Sequence, residues 1–112
     1  MEETTLFLSD SLYQGNVKNG KPHGYGYRKY RNGTIEYGLF ENGNIIQGIK
    51  YEYCYNEEDN MFYSKVYYGQ FRYGLPHGYG RLEHMDKLFR GQFAFGKKVE
   101  GNYYDYWYLL QL

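Results

Sequence analysis

This chain of 112 residues has no surplus of either charge, since acids and bases number 13 each. They are also mixed along its length, with six bases and five acids in residues 1–50 and seven and eight in residues 51–112. No basic tail or block stands out, so electrostatic nucleic-acid binding is set aside and a charge-driven hold on a membrane surface is not expected. The single cysteine, Cys54, has no partner within the chain. A disulfide-framed secreted domain is therefore excluded, and a reducing, cytoplasmic setting is expected. No segment approaches the roughly 20 apolar residues that span a bilayer. Met1-Glu2-Glu3 leads into only three apolar residues, Leu6 to Leu8, with the wrong charge and too little length for a signal peptide. Alanine occurs once, as Ala94, so the commonest helix former is nearly absent.

What the chain has instead is 15 glycines and 25 aromatic residues, 17 of them tyrosine. Aromatics favour strands and glycines favour tight turns, so the composition predicts an all-β fold, and the length predicts one domain. The glycines are also periodic. Pro22-His23-Gly24-Tyr25-Gly26 recurs letter for letter as Pro76-His77-Gly78-Tyr79-Gly80, and Gly15, Gly20, Gly24 and Gly26 match Gly69, Gly74, Gly78 and Gly80 in spacing. A looser unit follows each copy, Gly38-Gly43-Gly48 and Gly91-Gly96-Gly101, leaving only Gly33 outside the lattice. A fixed period of this length is the mark of a repeat architecture.

The stretch Tyr67-Tyr68-Gly69-Gln70-Phe71-Arg72-Tyr73-Gly74-Leu75-Pro76-His77-Gly78-Tyr79-Gly80 resembles the MORN repeat at every diagnostic position. The first copy, from Tyr13, carries Val17 where the family has a large aromatic; the second carries Glu36 in place of the leading aromatic; both looser units lack the final Gly-x-Gly. The resemblance runs over residues 13–103 as four repeats, at 13–35, 36–51, 67–87 and 89–103, with a long hairpin connection at 52–66. Residues 103–112 and Leu6 to Leu8 are expected to cap the two ends, the former alternatively forming a dimer contact. The resemblance implies a non-catalytic scaffold or adaptor.

Asn19-Gly20, Asn32-Gly33 and Asn42-Gly43 supply the positive φ that tight hairpins need, and the segments between them are of strand length. The expected fold is an elongated single antiparallel meander of consecutive β-hairpins. Strand glycines need a reason, and the reason adopted is room: Gly78 and Gly80 are expected beneath the rings of Tyr67 and Phe71 on the adjoining strand.

Catalytic readings fare poorly. Gly15 to Lys21 and Gly91 to Lys97 have the outline of a phosphate-binding loop, but Pro22 and Lys98 stand where a hydroxyl must reach the metal. His23 and His77 fall two repeats apart and are expected to be structural; no ligand set for a metal and no cofactor motif is present. Ser9, Ser11 and Ser64 have no evident base. No enzyme activity is expected. The aromatic excess points instead to a protein-binding surface, because tyrosine offers rigid contact area that tolerates water. The expected groove carries Tyr13, Phe40, Tyr67, Phe71, Phe89 and Phe93 and takes a peptide or helix of another protein, or a second copy of the chain. The alternative use for these rings is a core. Peripheral phospholipid binding through Lys18, Lys21, Arg28, Lys29 and Arg31 is the competing reading.

Overall fold

In the computed structural model, which describes residues 3–105, the chain forms nine strands: β1 (Glu3–Phe7), β2 (Ser11–Lys18), β3 (Lys21–Tyr30), β4 (Ile35–Glu41), β5 (Asn44–Asn56), β6 (Met61–Arg72), β7 (Leu75–His84), β8 (Lys87–Ala94) and β9 (Lys97–Asp105). They pair antiparallel in sequence order in one open sheet, the expected meander of hairpins. The part of the expected C-terminal cap at 106–112 lies outside the described residues, and its first residues belong to β9. At the other end Leu6 and Leu8 pack against the core.

Turn chemistry sets the strand ends. Asn19-Gly20, Asn42-Gly43, Tyr73-Gly74 and Phe95-Gly96 all place two consecutive residues at positive φ, the geometry of two-residue hairpins that match the twist of their strands. Asn32-Gly33 behaves differently. Only Gly33 has positive φ, and it sits in a wider loop where Asn32 Oδ1 accepts from the Thr34 amide at 2.9 Å. The long connection at 52–66 is itself a hairpin. β5 and β6 run on past their outer neighbours, whose pairing stops at Tyr51 and Lys65, and form a two-stranded ribbon out to the Glu57–Asn60 turn.

The glycine lattice becomes a ladder. Gly15, Gly26, Gly38, Gly48, Gly69, Gly80, Gly91 and Gly101 face one another in register across β2 to β9. A Cβ on Gly26 or Gly80 would fall inside the ring of Tyr13 or Tyr67; on Gly38 or Gly48 it would strike the backbone of the neighbouring strand. The expectation of rings above glycine therefore holds for Gly80 and not for Gly78, whose Cβ would meet the Gln70 side chain instead. Beside the ladder every second hairpin, β2–β3, β4–β5, β6–β7 and β8–β9, has a bulge or register shift. The residues it leaves unpaired in β2 and β6, Asn16 and Gln70, accept backbone amides of Tyr25 and Tyr79 at 3.2 and 2.9 Å. The hydroxyls of Tyr13 and Tyr67 donate to the carbonyls of the same two residues.

Missing side chains on one row and bulges on the next let the sheet curl. The molecule measures 44 × 30 × 26 Å, far thicker than the roughly 10 Å spacing of one sheet layer. The curl brings Tyr13, Phe40, Ile45, Tyr67, Phe71, Phe89 and Phe93 into one core on the inner face. Their rings meet edge-on, with centroids 5.1 Å apart for Tyr13 and Phe40 and 5.0 Å for Tyr67 and Phe93.

Candidate functional site

All six rings expected to line a groove are in that core, between 0 and 6% exposed. That placement corrects the expectation. A flat sheet has no second layer to cover so many rings, but a curled one covers them with itself. What remains for a partner is the other face.

Side chains one residue removed from the core positions point outward, because successive residues alternate across the sheet. Tyr25 precedes Gly26 and Tyr37 precedes Gly38, and these two tyrosines are 71% and 60% exposed. Register places Tyr27, Tyr37, Ile49 and Tyr68 in one cross-strand row over β3 to β6. Tyr25, Leu39 and Gln47 form a second row. Gly38 and Gly48 of the ladder lie between the rows as a floor, giving a groove of about 350 Å³ lined by Tyr25, Tyr37, Gly38, Leu39, Gln47, Gly48 and Ile49. The signal for these rings was present in the sequence. Each sits beside a lattice glycine, out of phase with the buried rings.

The histidines of the two pentapeptides have a structural task. His23 Nδ1 accepts the amide of Asn42 at 3.3 Å, and His77 Nδ1 accepts that of Phe95 at 3.2 Å. The carbonyls of Pro22 and Pro76 accept from Gly43 and Gly96 at 2.9 and 2.8 Å. Each Pro-His pair thus clamps the turn of the next hairpin. His84, which has no place in the repeat, is held below the ordinary histidine range by burial and by Lys65 and Lys98.

A feature whose burial the sequence did not reveal is Glu36. It occupies the inner-face position that Tyr13 and Tyr67 hold in the first and third repeats, and it is only 3% exposed. Tyr30 donates its hydroxyl to Glu36 Oε1 at 2.8 Å. Burial raises the Glu36 carboxyl above its usual range, opposed by the Tyr30 hydrogen bond and by Lys50 and Arg28. Burial and the neighbouring carboxylate likewise raise the Tyr30 phenol. Across the strand from Glu36, Arg28 donates to Ser11 Oγ at 2.8 Å and to the Gly43 carbonyl at 3.0 Å, and pairs with Asp10 at 3.4 Å. Ser11 is held between Asp10 and Arg28 and has no histidine beside it.

Among the described residues no group of three or more His, Cys, Asp or Glu is placed to hold a metal ion. Nor, among them, is any helix long and apolar enough to cross a membrane. Compared with known protein families, the chain matches the MORN repeat over residues 13–35 and 67–86. No curated protein matches it.

Proposed function

We propose, from the match to the MORN repeat at residues 13–35 and 67–86, that the chain is a non-catalytic binding module whose outer face takes a peptide or helix of another protein. Repeats of this family are associated with binding to proteins or membrane lipids rather than with catalysis. The observation that carries the reading is the pair of tyrosine-bearing rows over β3 to β6, with Tyr25 and Tyr37 largely exposed beside a glycine-floored groove. Large rings held on a rigid sheet and not used by the core cost little entropy to bury, which is what a binding surface needs. A contiguous aromatic patch of this kind is characteristic of interaction sites. We place its work inside the cell, in keeping with the unpaired thiol of Cys54.

Affinity capture with the whole chain, compared with the double variant Tyr25→Ser and Tyr37→Ser, tests this. Both positions face outward, so the variant should keep its far-ultraviolet dichroism and unfolding midpoint. Proteins retained by the native chain should be lost from the variant; the same proteins retained by both would overturn the assignment.

A further inference from the structure

The outer face changes character as it crosses the sheet. The row that holds Tyr27, Tyr37, Ile49 and Tyr68 continues in register into Arg81 of β7 and Arg90 of β8. Two arginines are thus directly opposed on adjacent strands, an arrangement that costs stability when nothing lies between the charges. Compensation among the described residues is partial. Arg81 lies over the Tyr68 ring at 4.5 Å and reaches Glu83 at 3.6 Å, while its Nε is buried with no hydrogen-bond partner among the described residues. Arg90 is exposed and makes no ion pair within 4 Å among the described residues. Glu100 lies on the same face opposite Gln92, one step along from Arg90, and does not pair with it. Of the two carboxylates on this face beside the pair, Glu83 reaches Arg81 and Glu100 reaches neither guanidinium within 4 Å, which leaves Arg90 without an ion pair among the described residues.

We infer that the outer face selects an acidic peptide, with an apolar or aromatic side chain over Tyr27, Tyr37 and Ile49 and an Asp or Glu carboxylate against Arg81 and Arg90. The inference rests on the binding-module reading of the same face and specifies the partner's chemistry. Guanidinium groups match a carboxylate in geometry as well as charge, since each can donate two parallel hydrogen bonds. The spacing is also set. From β4 to the midpoint of β7 and β8 is three and a half strand steps, about 17 Å, which an extended peptide covers in about five residues. The peptide would lie across the strands, along the row, with its apolar anchor at one end and its acid at the other.

The test is selection of displayed random peptides on the immobilised whole chain and on its Arg81→Gln, Arg90→Gln double variant. On the native chain, enriched sequences should combine an apolar or aromatic anchor with Asp or Glu about five residues away. On the variant, the anchor should persist and the acid should disappear. An enriched peptide resynthesised with Asn for Asp, or Gln for Glu, should bind the native chain at least about tenfold more weakly, and should bind the variant as its parent does. The comparison of the two peptides on the native chain needs no change in the protein, so it stands even if the double variant is damaged. Enrichment without an acid, or an acid preference that survives in a folded variant, overturns this inference and leaves the binding module standing. Failure to enrich any peptide overturns both.

Discussion

Glu36 is the residue at which this array departs furthest from its own pattern. A carboxylate stands where the other repeats place a ring, it is buried, and a single phenol donates to one of its oxygens. Its folded-state proton affinity is raised chiefly by burial, so the folded protein holds that proton more tightly than the unfolded chain does. The stability linked to this group is therefore full below the ordinary carboxylate range and is lost as pH rises through the raised value. Glu36→Gln removes the charge and keeps an oxygen to accept from Tyr30. The variant should be more stable than the native chain at pH 7, on the order of 1 kcal/mol, and the gap should close toward pH 4. Urea midpoints for the two proteins across that range give the answer; parallel curves would mean that Glu36 is not the group responsible. The departure from the repeat was visible in the sequence. Its burial was not, because burial follows from the curl of the sheet rather than from any neighbour in the chain.

At the scale of the hairpin, four turns share one backbone geometry but not one chemistry. Asn19 and Asn42 enter their turns at positive φ with a side chain that tolerates it, whereas Tyr73 and Phe95 adopt φ of 53° and 49° with rings that do not favour it. Both rings are exposed, so core packing does not explain them. Tyr73→Asn should relieve strain and stabilise the protein by roughly 1 kcal/mol, read as a higher urea midpoint at unchanged slope; a lower midpoint would show that the ring contributes more at the tip than its backbone costs. Hairpin turns were readable wherever Asn-Gly occurs between strand-length segments, apart from the wider loop around Gly33. The Met85-Asp86 turn, with two positive φ values and no glycine, gave no such signal. The bulges at Asn16 and Gln70 were equally silent, since each depends on a partner strand reached only after the turn. Strand alternation could have put Tyr25 and Tyr37 on the opposite face from Tyr13 and Tyr67. The choice of face failed because counting rings against a flat sheet gives the wrong supply of burial.

At the scale of the molecule, the meander pairs each strand only with its neighbours in sequence, yet its core does not divide into two halves. A stack of independent hairpins would lose order locally when one unit is damaged. A single curled layer closing on a common core should lose order throughout. Gly26 and Gly80 offer matched probes, because each lies beneath a buried tyrosine in its own half, and neither has the positive φ that would add backbone strain. Gly26→Ala and Gly80→Ala should each force a methyl group into a ring held by packing and by its hydroxyl, lowering stability by roughly 1–3 kcal/mol. If the core is one unit, either variant unfolds in a single transition with an unchanged slope on denaturant. Amide protection should then fall together in β2 to β4 and in β6 to β8 whichever glycine is replaced. Protection lost only from the strands around the substitution would split the core between β5 and β6. The outer-face row, which passes from β5 to β6 at Ile49 and Tyr68, would then be carried by two bodies free to move apart, and a peptide spanning from Tyr37 to Arg90 would find no fixed spacing to read.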